Sequence, residues 1–181
     1  GAGKSTLLKA MCRACGIQMW AFEGRTRFEN NPCEDDLHRV LSVEWADGPV
    51  PGSFFSSETF RDFSQILDGW AAADEGVLSY FGGRSLMTQS HGQALMSYFR
   101  GRYAIRGLYF LDEPETALSP RTQIAFAKML HELGRSGSSQ FIIATHSPII
   151  LSVPGARIYG FDSAPAAPVR YEDTLHYQVY R

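Results

Sequence analysis

Long apolar runs, an excess of charge of one sign and cysteine are all scarce in this chain of 181 residues, and each scarcity removes a class of protein. The longest aliphatic stretches, such as Phe141 to Ala144, fall far short of the roughly 18 residues of a membrane span. No succession of charged, apolar and small residues marks a secretory leader. Lys and Arg number 17 against 19 Asp and Glu, a net charge of −2, so no basic field argues for nucleic acid or an anionic membrane. Nucleic acid as a partner is left without support from charge. Three cysteines, Cys12, Cys15 and Cys33, are too few for a disulfide framework and fit a reducing compartment. Cys12 and Cys15 have C-x-x-C spacing, yet no second ligand pair follows, and on a helix they share a face as small hydrophobes. A soluble cytoplasmic domain is what remains. With 44% apolar and 20% charged residues the composition is globular. The length fits one domain that buries about 70% of its unfolded surface.

What is present is a regular alternation of helix and strand signals. No internal repeat of roughly 20–50 residues marks a solenoid. After the turn Gly1-Ala2-Gly3-Lys4-Ser5-Thr6, the spacing of Leu7, Leu8, Met11 and Cys15 predicts a helix that Gly16 closes. Residues 17–22 are expected as a strand, and 23–36, with Asn30-Asn31-Pro32, as a loop. Leu41-Ser42-Val43-Glu44-Trp45 alternates with period two, which predicts a half-exposed strand; Asp47-Gly48-Pro49 then turns the chain toward a second strand near Phe54 and Phe55. Phe60, Phe63, Ile66, Leu67 and Trp70 fit one helical face. Gly82 and Gly83 break the pattern, and a helix resumes after Ser90 with Ala94, Leu95, Tyr98 and Phe99 inward.

The second half is plainer. Leu108 to Leu111 has the form of a buried parallel strand and ends in Asp112-Glu113-Pro114. Ser119-Pro120 reads as an N-cap and first helical residue; Phe126, Met129, Leu130 and Leu133 face inward, and Gly134 stops the helix. Phe141 to Thr145 is a second buried strand, ending at His146. Strand, helix, strand predicts a parallel sheet with ligands at the carboxyl ends of its strands. Residues 157–161 and 169–171 are expected as strands around the Ala/Pro turn at 163–168.

Gly1 to Thr6 matches the last defined positions of the phosphate-loop rule G-x-x-x-x-G-K-(S/T). The rule's first glycine and its preceding strand are expected ahead of Gly1, and no stop signal marks the far end. Residues 1–181 are therefore expected to be one domain, cut inside the turn. Gly1, Ala2 and Gly3 allow backbone N–H groups to point inward, and the helix that follows aims its positive end at an anion. Lys4 reaches the β- and γ-phosphates, and Ser5, followed by Thr6, offers its hydroxyl to Mg²⁺. A plain helix N-cap beside glycines is the alternative. Asp112 and Glu113 end a buried strand, where carboxylates are costly unless they serve a cation or a reaction. Asp112 suits Mg²⁺, directly or through water, and Glu113 suits a general base that polarises an attacking water. Two solvated loop charges are the alternative there. His146 ends the next strand, beside the γ-phosphate, whose charge it would read by hydrogen bond.

These pieces, in this order, resemble a soluble ABC-type ATPase domain of the AAA-family kind, related to SMC/RecF-like heads. GAGKST (1–6) is similar to Walker A, SHGQ (90–93) to the signature and LYFLDEPE (108–115) to Walker B. TALSP (116–120) is similar to the D-loop and FIIATHS (141–147) to the switch-histidine strand. The resemblance spans nearly the whole chain. It implies an α/β P-loop fold with a mostly parallel central sheet flanked by helices, a small antiparallel β element and a helical signature subdomain. It implies ATP and Mg²⁺ as cofactors, ATP hydrolysis, and a homodimer closed head to tail around nucleotide. Ser90, Gly92 and Gln93 would then touch the γ-phosphate held by the partner subunit's Lys4; Ser90 as a helix N-cap is the plain alternative.

Two departures from the family pattern bear on function. His91 stands where the signature usually has glycine, and no Q-loop glutamine follows residues 54–55. Glu58 is nearest to that place, as a candidate contact to Mg²⁺ or water against a plain helix-start carboxylate. With no membrane segment, a soluble role is expected rather than transport. The 86 residues from Lys4 to Ser90 contain no heptads, so a compact head is expected. Rival readings are a slow or non-hydrolysing nucleotide switch acting as an interaction module, and a motor subunit for DNA handling, defence or transport whose effector lies on another chain.

Overall fold

In the computed structural model, which describes residues 3–17, 19, 36–81, 83–116, 118–162 and 164–180, three short apolar runs become one parallel sheet. Its order is β1 (Gly52–Ser56), β2 (Gly107–Asp112), β3 (Ser139–Ala144). Both ladders are parallel and the strands end level, with Ser56 opposite Asp112 and Asp112 opposite Ala144. β2 lies in the middle and is buried from Gly107 to Leu111, which is why it reads as an unbroken apolar run. Its successive side chains point to opposite faces. Tyr109 and Leu111 enter a cluster with α2 (Ser57–Ala73), α3 (His91–Tyr103) and α4 (Pro120–Arg135). Leu108 and Phe110 pack instead with α1 (Lys4–Ala14). Helices therefore cover both faces.

The first cluster is largely aromatic. Phe99 stacks on Phe126 with ring centroids 4.4 Å apart, and Tyr103 lies 4.6 Å from Tyr109. After β3 come α5 (Pro148–Leu151), the antiparallel pair β4 (Ile158–Gly160) and β5 (Ala167–Val169), and α6 (Leu175–Tyr180). The α/β class, the parallel sheet and the small antiparallel element are thus as expected. No helix among the described residues is long and apolar enough to cross a membrane. Cys12 is fully buried and its thiol meets the Ile17 carbonyl at 3.5 Å. Burial pushes that thiol up to about 12, the behaviour of a packed hydrophobe.

Several local expectations are corrected. Residues 41–45 form no strand, and β1 is not half of a hairpin but a member of the parallel sheet. Of the alternating residues, Val43 is 37% exposed, and Trp45 packs on the α1 cluster without a ladder. Trp70 is 45% exposed; the α2 stripe runs Phe60, Ser64, Leu67, Ala71, at steps of three and four. Gly134 stays within α4, where glycine costs only about 1 kcal/mol. The left-handed turn falls at Gly137, with φ 70°. Gly16 does close α1, at φ 69°. The strand expected over 17–22, apart from residues 17 and 19, lies outside the described residues, as do the loop over 23–35, Cys33 and Gly82.

Candidate functional site

The carboxyl ends of the three strands and the start of α1 meet. Gly3 precedes α1 with φ 73°, a left-handed conformation that suits glycine, and its carbonyl accepts the Leu7 N–H at 3.0 Å. Lys4, Ser5 and Thr6 form the first turn, while Gly1 and Ala2 lie outside the described residues. The Ser5 hydroxyl donates to Asp112 Oδ1 at 2.9 Å, across 107 positions of sequence. Burial raises the Asp112 carboxyl above the usual carboxylate value; the Ser5 bond and the Lys9 charge oppose this, and Glu113 and Glu58 add to it. Glu58 is exposed in the first turn of α2, two residues beyond the end of β1.

A hydroxyl and a carboxylate side by side are a hard-oxygen pair suited to Mg²⁺. No group of three or more His, Cys, Asp or Glu among the described residues makes a closed metal cage.

Glu113 follows at φ 46°, the one non-glycine residue with positive φ among those described. Its N–H continues the ladder to the Ala144 carbonyl at 2.9 Å. His146 Nε2 lies 3.8 Å from Glu113 Oε1, with the two side chains 58% and 48% exposed. A third carboxylate, Glu115, was not singled out from sequence. Its Oε1 accepts the backbone N–H groups of His146 at 2.6 Å and Ser147 at 3.1 Å. The Ser147 hydroxyl donates to Gln123 Oε1 at 2.6 Å, and Gln123 Nε2 donates to the Leu118 carbonyl at 2.9 Å. The sole sequence signal for Glu115 was a third acid just behind Pro114; for Gln123 there was none.

Ser90, Gly92 and Gln93 are not brought to this cluster. They line a separate cavity of about 650 Å³ that includes none of Lys4, Ser5, Asp112, Glu113 or His146. Ser90 and Gln93 close on each other in a capping box, with the Ser90 hydroxyl 2.9 Å and its N–H 3.2 Å from Gln93 Oε1. The N-terminal ends of α3 and α4 both face this cavity, and so do Arg84, Arg100 and Arg121, which sequence reading passed over. No Asp or Glu among the described residues lines it. None of the three arginines has an ion pair or hydrogen bond among the described residues. A larger cavity, about 940 Å³, follows the edge of β3 that has no partner strand among the described residues, with Lys4 and α1 on one side and Ile158 and Tyr159 on another. Asp112, Glu113 and His146 lie at the strand ends and do not line that cavity.

A glycine-led helix start facing carboxylates at the end of a parallel sheet is the arrangement of a P-loop nucleotide-binding domain. Residues 93–151 match the family described as AAA ATPase domain. The chain is 30% identical over 166 residues to the hemin import ATP-binding protein HmuV of Pseudomonas aeruginosa, covering 79% of this chain and 62% of that protein. It therefore spans less than two thirds of that relative's length. No solved structure matches the chain. Fold and matches together support a P-loop ATPase domain of the ABC/AAA type.

Proposed function

We propose that this domain binds ATP with Mg²⁺ and hydrolyses it in a homodimer closed head to tail, passing the motion to an effector on another chain. The Ser5–Asp112 hydrogen bond carries the reading, because it joins the phosphate turn to the strand-end carboxylates. In this reading the backbone of Gly1, Ala2 and Gly3 and the first turn at Lys4 to Thr6 hold the phosphates. Ser5 and Asp112 would hold Mg²⁺, with Glu58 facing it through water. Bound there, the metal neutralises phosphate charge. Glu113 takes the proton of the attacking water, and His146 reads the γ-phosphate.

The second cavity supports the dimer. Three guanidinium groups with no ion pair among the described residues and two helix N-termini, around a space that no described carboxylate lines, suit an anion. A phosphate chain presented by a second copy supplies one. Ser90, Gly92 and Gln93 would meet it once the Ser90–Gln93 bond opens. HmuV is named for hemin import; the cargo of the present chain is left to its effector, and the cytoplasm is its proposed compartment.

The test uses the full-length protein. Glu113→Gln should lower phosphate release by about 10²–10⁴-fold while ATP binding holds, and Mg-ATP should then trap a dimer in sizing chromatography. Adding Ser90→Arg should abolish that dimer. Parent-rate hydrolysis by Glu113→Gln would reduce Glu113 to a strand-end charge, and a dimer that survives Ser90→Arg would remove residues 90–93 from the site.

A further inference from the structure

We propose that Glu115 is a positioning residue: it sets the place of His146 relative to Glu113 and, with Gln123, ties that histidine to residues 116–119. The inference rests on the reading of His146 given above. The geometry starts with a single oxygen. Glu115 Oε1 accepts the N–H groups of two consecutive residues, His146 at 2.6 Å and Ser147 at 3.1 Å, just where the chain leaves β3. Bonds from amides to a charged carboxylate are roughly twice as strong as neutral ones. They fix the backbone that carries the imidazole, not the imidazole itself.

Placement matters here because the His146–Glu113 separation is 3.8 Å, beyond a hydrogen bond. A backbone shift of under about 1 Å decides whether the two side chains bond. Glu115 is also a poor choice for stability alone. Its Oε2 is buried with no hydrogen-bond partner, which is a cost for a carboxylate. The same loop is held from a second direction. Ser147 donates its hydroxyl to Gln123, and Gln123 grips the Leu118 carbonyl, while the Leu118 N–H bonds to the Glu115 carbonyl at 2.8 Å. Residues 115, 118, 123, 146 and 147 thus form one closed hydrogen-bonded ring. Leu118 is thereby linked to His146.

Steady-state kinetics on full-length single and double variants test the proposal. Glu115→Ala should lower kcat about ten- to a hundredfold with KM for ATP unchanged within about twofold. Glu115→Gln, which keeps a carbonyl acceptor, should recover most of the rate. In a His146→Ala background the Glu115→Ala loss should vanish, because a residue that acts through His146 has nothing left to place. Gln123→Ala should behave alike but more weakly, and it carries the test if Glu115→Ala does not fold. Multiplicative losses in the double variant, or a rise in KM at constant kcat, overturn the proposal. So does a parent rate in Glu115→Ala when His146→Ala is slow. A parent rate in His146→Ala instead removes the reading of His146, and the proposal with it.

Discussion

Burial raises the Asp112 carboxyl above its ordinary value of 3.8, and the Ser5 hydroxyl and the Lys9 charge offset this only in part. The native state therefore holds the Asp112 proton more tightly than the unfolded chain does. Ionised Asp112 weakens the fold at neutral pH, and the penalty fades as the pH falls through the raised folded value toward 3.8. Asp112→Asn should accordingly raise Tm at pH 7 without nucleotide, and the gain should shrink as pH is lowered through that window. An Asn variant that melts lower at pH 7 would mean that the carboxylate is held by its neighbours rather than strained by burial. The adjacent residue carries strain of another kind. Glu113 is held at φ 46°, a conformation that costs a bulky residue about 1 kcal/mol or more. Asp112, Glu113 and His146 were legible in sequence because acids and histidine at the ends of apolar runs need a reason. Glu115 and Gln123 were not, because their partners lie 31 and 24 residues away and only the folded chain brings them together.

Elements followed their apolar pattern, the helices as one-sided stripes and β2, covered on both faces, as an unbroken run. β2 and β3, α1, α3 and α4 are where periodicity and caps place them, to within a residue or two at their ends. The expectation failed at 41–45, where Val43 stays exposed and Trp45 packs on the α1 cluster without a partner strand among the described residues. α3 and α4 are joined to the sheet through ring contacts. Phe126 is 0% exposed and stacks on Phe99, so its removal leaves a void that rigid aromatic neighbours close poorly. Phe126→Ala should cost about 3–5 kcal/mol in chemical denaturation. A loss below about 1 kcal/mol would show that the two helices are not packed as described. β1 shows a different constraint. A Cβ at Gly52 would lie 2.1 Å from the Leu108 carbonyl oxygen, so this strand approaches β2 only without a side chain there.

In the whole molecule the strand-end residues Ser5, Asp112, Glu113 and His146 are not among the described residues that line the arginine-lined cavity. On the dimer reading, Arg100 of one copy faces nucleotide held by the other. Arg100→Glu, placed in the Glu113→Gln protein, should remove the Mg-ATP-dependent dimer in sizing chromatography. ATP affinity measured by calorimetry on the separated monomer should stay within about twofold, because the substituted charge lies outside the chain's own site. An intact dimer would take Arg100 away from the interface, and weakened monomer binding would place it in cis. The sequence by itself determined the α/β class, the glycine at residue 3 with the helix that follows it, and the acids and histidine at the strand ends. Those rest on local rules: the period of apolar residues, the conformational freedom of glycine, and the cost of burying charge. Tertiary structure alone decided that β1 joins the parallel sheet, that Ser5 reaches Asp112, that Glu115 holds the loop of His146, and that three arginines share one cavity. Each of these is a meeting of residues far apart in the chain, and what joins them is the packing of helices on both faces of one sheet, which no local window of sequence contains.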